Sequence, residues 1–120
     1  MILFNQMVEY TSQLDNVFAS LADNTRRDIL ERVYRVEMTV SDIASKYDMS
    51  LAAISKHLSI LEEAQLITKR REGRKQMIRA RTDALRDANE YLEQYRQMWQ
   101  ERFNKLDSLI KEEGNKPWQN

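Results

Sequence analysis

Between Thr82 and about Glu113, apolar residues recur at steps of three and four: Leu85, Ala88, Leu92, Tyr95, Trp99, Phe103, Leu106 and Ile110. No Gly or Pro interrupts the run. This spacing predicts one amphipathic helix, about 45 Å long at about 1.5 Å per residue. The same period marks two helices near the start. One covers residues 6–20 and carries Leu14, Val17, Phe18 and Leu21 on one side. The other is NTRRDILERVYR, with Ile29, Leu30, Val33 and Tyr34 facing a core and Asp23 placed to cap it.

The segment MTVSDIASKYDMS reads as a short helix and a turn. Thr39 and Asp42 stand at capping-box spacing, Ile43, Ala44 and Tyr47 share a face, and Met49 is expected to plug the turn. Asp48 is expected where the chain turns, because Asp tolerates left-handed backbone better than most residues. Ser50 then caps a helix running to Ala64 or Gln65. Beyond it the period shortens. Leu66–Arg71 and Lys75–Ala80 alternate around EGR, and Gly73 is the residue there free to take a positive φ, which predicts a β-hairpin. The fold class is therefore mainly α with a small β-hairpin, in the order helix, helix, helix–turn–helix, hairpin, long helix.

At 120 residues the chain suits a single domain. Its parts are a first helix at 1–22, a core and hairpin at 23–81, a long helix at 82–113 and a loose tail at 114–120. Two Gly and one Pro disfavour an all-β fold. The absence of cysteine excludes disulfides, thiolate metal sites and thiol nucleophiles, and suits a reducing cytoplasm. MILFNQMVEY lacks a basic n-region and makes a poor signal peptide, and no run approaches membrane-spanning length, so no membrane partner is expected. The net charge of zero hides an asymmetry. Residues 66–81 hold Lys69, Arg70, Arg71, Arg74, Lys75, Arg79 and Arg81 against Glu72, for +6, while every other segment is negative.

The helix SLAAISKHLSIL gives that charge a context. Ile54, Leu58 and Leu61 form its apolar edge. Its other edge carries Ser50, Ala52, Ala53, Ser55, Lys56 and Ser59, with His57 beside them. A helix entering the major groove of double-stranded DNA, about 12 Å wide, needs such a slim leading face. Ser50 adds a hydroxyl and exposed N–H groups that suit a phosphate. An Ala/Ser face also serves close helix–helix contact, so the neighbouring hairpin decides. Its cations Lys69, Arg70, Arg71, Arg74 and Lys75, punctuated by Gly73, form a strip that fits along a phosphate backbone.

The span from Leu14 to about Arg81, with the helix that follows, resembles the ArsR/SmtB family of winged helix–turn–helix transcriptional regulators. LADNTRRDIL, TVSDIASKYDMSLAAISKHLSILEEAQLI and KRREGRKQ carry the resemblance. It implies a recognition helix at Ser50–Ala64, a wing at Thr68–Arg79, and a homodimer that represses transcription and releases DNA when an inducer binds. Metal-sensing members carry two cysteines one residue apart before the turn, where this chain has Thr39 and Ser41, or His ligands on the last helix, which has none here. The usual Pro of the second helix is Asn24. No metal and no cofactor is therefore expected, and any small-molecule inducer is unidentified.

His57, the single histidine, is read as a DNA contact of the recognition helix, with packing as the alternative. Lys56 suits a phosphate, since its ammonium lacks the bidentate fork of Arg. Arg27 is expected to pair with Glu31. Leu14, Phe18, Leu92, Tyr95, Trp99, Phe103 and Leu106, joined by Ile2, Leu3, Phe4, Met7 and Val8, are expected at a dimer interface, because the long helix offers more apolar surface than a domain this small can cover. Two functions compete: a homodimeric DNA-binding repressor, and a winged-helix module that contacts only protein. An enzyme is not expected, as there is no Gly-rich phosphate loop, cysteine or His pair.

Overall fold

The structure, a computed structural model, describes residues 2–114, with side chains described from 12 to 112. Its elements are α1 (Ile2–Leu21), α2 (Asn24–Arg35), β1 (Met38–Thr39), α3 (Val40–Ala44), α4 (Leu51–Glu63), β2 (Ile67–Glu72), β3 (Lys75–Ala80) and α5 (Asp83–Gly114). The mainly helical winged architecture matches the sequence expectation. Contacts divide the chain into two compact units, Met1–Ala88 and Asn89–Asn120.

In the first unit, caps define the helix starts. Asp23 is extended and its Oδ1 accepts from the Arg26 backbone N–H at 3.0 Å. Thr39 accepts from Asp42 and Ser50 from Ala53 in the same way. Each bond satisfies one of the N–H groups a helix start leaves open. The carbonyls ending α1 are met by guanidinium groups instead. Arg26 donates to the Ser20 and Ala19 oxygens, and Arg27 to the Leu21 oxygen at 2.8 Å. The expected Arg27–Glu31 pair does not form, because Glu31 takes Arg35 one turn later.

Helix α4 ends differently. Gln65 has φ +61, the one non-glycine in left-handed backbone among the described residues. Its N–H bonds the Glu62 oxygen, and the Leu66 N–H bonds the Leu61 oxygen. That is a Schellman ending with Gln where Gly is usual. Asp48, expected to be left-handed, is not, because the turn after α3 closes through successive short-range bonds from Ser45, Lys46 and Tyr47. Met49 is exposed rather than plugging that turn.

The hairpin belongs to a three-stranded antiparallel sheet ordered β1-β3-β2. Met38 and Thr39 pair with Ile78 and Met77, and the hairpin closes at Glu72↔Lys75 around Gly73 and Arg74. Gly73, with φ +63, holds the position a two-residue turn reserves for positive φ. The core lies between the helices and the inner face of this sheet, and is built from Val17, Ile29, Ile43, Ile54, Leu58, Leu61, Leu66, Ile67 and Ile78. Each of these large aliphatic side chains contributes about 1.5–3 kcal/mol by leaving water.

The second unit is the helical run of α5 from Asn89. Leu92, Tyr95, Trp99, Phe103, Leu106 and Ile110 stand 45–57% exposed on it. Trp99 stacks on Phe103 at 5.8 Å, and the Arg102 guanidinium sits 5.5 Å from the Trp99 ring.

Candidate nucleic-acid interface

The apolar edge of α4 is wholly buried, which fixes what its opposite side presents. Ser50, Leu51, Ala52, Ser55, Lys56 and Ser59 are exposed, and Ala53 is half-buried. No acidic residue interrupts the exposed face before Glu62. The Ser50 oxygen caps the helix, leaving its O–H to donate outward.

His57 does not belong to that face. Its side chain is 17% exposed and packs toward the start of α2. There its Nδ1 lies 3.3 Å from Arg26 Nη1 and 4.0 Å from Asp23 Oδ1. One step along a helix turns a side chain by about 100°, so an exposed Lys56 carries His57 inward. The Arg26 backbone N–H, aided by the Arg26 and His57 charges, holds the Asp23 carboxyl below its usual range against a partial desolvation cost.

A second polar cluster ties α2 to the turn before α4. The Tyr47 hydroxyl donates to Asp28 Oδ2, Arg32 Nε donates to the same carboxylate at 3.0 Å, and Arg32 also reaches the Tyr47 oxygen. Burial and the Asp28 carboxylate push the Tyr47 hydroxyl up to about 12. The Tyr47 and Arg32 bonds hold Asp28 below the usual carboxylate range. The turn orienting α4 is thus held by directed bonds as well as packing.

The wing is less uniformly cationic in effect than its composition implies. Lys69 lies 3.5 Å from Glu62 and is only 18% exposed. Arg70 pairs with Glu37 and, at 3.2 Å, with Glu72. Both therefore leave the set of free wing cations. Arg71, Arg74 and Lys75 are exposed with no ion pair among the described residues, and so is Arg79, which the sequence reading counted in the charge but not in the site.

Arg74 and Lys75, with Gln76, also line a polar cleft of about 360 Å³ against Thr39, Val40, Ser41 and Asp42. The hydroxyls of Thr39 and Ser41 beside two free cations suit an anionic oxygen, although the motif spacing assigned them no such role. Leu51 is the other omission. It is 61% exposed at the head of α4, where an apolar side chain suits a thymine methyl group.

Of the expected interface residues, Leu14 is 6% exposed and packed within its own unit, which withdraws it from a partner. Phe18 is half-buried, while Leu92, Tyr95, Trp99, Phe103 and Leu106 remain open. The side chains of Ile2, Leu3, Phe4, Met7 and Val8 lie outside the described residues, as does the tail beyond Gly114. Among the described residues there is no cluster of three or more His, Cys, Asp or Glu able to hold a metal, and no helix long and apolar enough to cross a membrane.

The family described as "Helix-turn-helix domain" matches residues 21–70. The transcriptional repressor SdpR of Bacillus subtilis is 37% identical over 75 residues, covering 62% of this chain and 83% of that protein. A crystal structure of an ArsR family transcriptional regulator superposes with a TM-score of 0.71 at 31% identity, covering 75% of this chain and 93% of the other. The homodimeric winged helix–turn–helix DNA-binding domain of a possible ArsR-family regulator from Mycobacterium bovis gives 0.60 at 31% identity, covering 66% and 74%.

Proposed function

Because this chain belongs to the ArsR/SmtB family of winged helix–turn–helix transcriptional regulators, we propose that it works in the cytoplasm as a homodimeric, sequence-specific DNA-binding repressor without catalytic activity. The observation carrying this reading is the slim, acid-free face of α4 in the same unit as the free cations Arg71, Arg74 and Lys75. Ser50, Leu51, Ala52, Ala53, Ser55 and Ser59 approach base edges in the major groove, and Lys56 takes a phosphate. The wing cations follow the backbone, with the Thr39–Ser41 hydroxyls beside them. Lys69, Arg70 and His57 instead support the reader from behind. Dimerisation uses the open stripe of α5, consistent with the homodimeric M. bovis domain, and it places two recognition helices about one helical turn of DNA apart, or a small multiple.

If each protomer neutralises three phosphates, the affinity falls with salt at a log–log slope of about −5. Fluorescence anisotropy of the purified protein with a random duplex at low salt tests the reading. Binding that weakens with that slope is the expected result. No binding at micromolar protein would overturn it in favour of a wing that docks on acidic protein. Selection from a random duplex pool would then give the operator and its dyad.

A further inference from the structure

Helix α2 divides into three faces at about 100° per residue. Ile29 and Val33 enter the core, and Asp28 and Arg32 hold Tyr47. The third face, Arg27, Leu30, Glu31 and Tyr34, has no role in the reading above. It forms one wall of a groove of about 320 Å³ in the first unit, closed by Leu21 of α1, Ala80 of β3 and Leu85 of α5. The lining is almost wholly apolar, and its volume is at the lower end of small-molecule sites, about 300–1,000 Å³. Tyr34 is 68% exposed at this groove, so its ring meets solvent rather than a packing partner.

The two charged residues at the rim differ. Glu31 is already engaged by Arg35. Arg27 donates to the Leu21 carbonyl and has no carboxylate within ion-pair distance among the described residues. A cation entering the groove competes with Arg35, whereas an anion meets an unneutralised guanidinium. We propose that this groove binds a small organic anion with an apolar body and a carboxylate-like head, and that its occupancy weakens DNA binding. The second clause rests on the repressor reading.

The route to DNA is short. A carboxylate at Arg27 competes with the Leu21 oxygen, one of the bonds that set the turn from α1 to α2. Arg26 in the same turn holds His57 on the back of α4, and Asp28 with Arg32 holds the Tyr47 turn that leads into it. An anion that binds better when α2 has shifted thus favours a displaced recognition helix, as differential affinity requires.

The test is an NMR titration of the full chain with octanoate, using octylamine and octanol as charge controls. Saturable shifts at Leu21, Leu30, Ala80 and Leu85 are expected, with octylamine and octanol each at least about ten-fold weaker. Arg27→Gln should weaken octanoate by a similar factor, and Ala80→Leu should block it by filling the groove. Tyr34→Ser, at an exposed position, gives the same readout if Ala80→Leu fails to fold. Shifts confined to Leu92–Ile110, equal binding of all three probes, or none at millimolar concentration would overturn the site. Duplex binding measured in the same samples separates the two readings. Octanoate-free protein that binds DNA while the groove stays empty sinks the groove alone. A groove that fills in protein binding no duplex supports the site and sinks the repressor. Bound octanoate that leaves duplex affinity unchanged overturns the regulatory claim.

Discussion

Helix α4 buries Ile54, Leu58 and Leu61 almost completely, whereas α5 leaves Leu92, Trp99 and Phe103 about half exposed. Both helices carry apolar residues at steps of three and four, so period alone does not separate them. The difference lies in what remains once internal packing is complete. On α4 the remainder is hydroxyls, methyl groups and one lysine, a surface that water solvates well and that suits a polar partner at close range. On α5 it is a continuous aromatic and aliphatic stripe, which is costly in water and calls for an apolar partner. Identical spacing thus supports two kinds of recognition, according to which side of the helix the core uses.

The largest test of this contrast is to charge the stripe. Trp99→Glu with Phe103→Glu should raise the dimer dissociation constant by about a hundred-fold or more, since two central aromatic anchors are lost. Sedimentation velocity reads it, with helix content followed by circular dichroism. A dimer unaffected by both charges would break the comparison. Next comes the opposite surface. Arg71→Ala with Arg74→Ala should weaken every duplex by about ten-fold or more and flatten the salt slope of the dimer by about 3 to 4. Ser55→Ala should instead change preference among sequences by about 1 kcal/mol, and equal loss on operator and random DNA would remove Ser55 from the reading face.

The ends of α4 should respond with opposite signs. Removing the cap with Ser50→Ala costs about 1 kcal/mol. Relieving left-handed strain with Gln65→Gly gains about 0.5–1 kcal/mol, less whatever the exposed Gln13–Gln65 bond contributes. Urea denaturation measures both. Tyr47→Phe should change least at neutral pH and most at the extremes. Asp28 sits below its ordinary value of 3.8 in the folded protein, so its contribution is present above that pH and lost as the pH falls through the folded value. Tyr47, raised from 10.0 to about 12, favours its neutral form, and that contribution is lost as the pH rises from 10 through 12. The substitution should flatten both flanks of the stability profile, and unchanged flanks would mean the cluster carries no titrating load.

The order of elements was legible because each signal was local. Periodicity marked the helices, Asp23, Thr39 and Ser50 their starts, and Gly73 the hairpin turn. The misreadings were all non-local. His57 faces inward because α2 lies behind α4, and nothing within SKHLS records that. Lys69 and Arg70 are neutralised by Glu62 and Glu37, seven and thirty-three positions away in the chain. Strand β1 is two residues long and exists only because β3 offers it an edge. The left-handed residue went to Gln65 rather than Asp48 because buried Leu61 and Leu66, bonded through their backbones, demand the Schellman ending there. Composition counted the charges correctly; only coordinates show which are free.

Between the reading helix and the first strand of the wing stand only Ala64, Gln65 and Leu66. Two of these are sealed in the interior, and the chain turns through fixed backbone bonds. No hinge separates the part that enters a groove from the part that grips the neighbouring strand. The two travel as one tool of invariant pitch. Any signal that loosens the protein from its operator must tilt that tool as a whole or change the distance between its two copies.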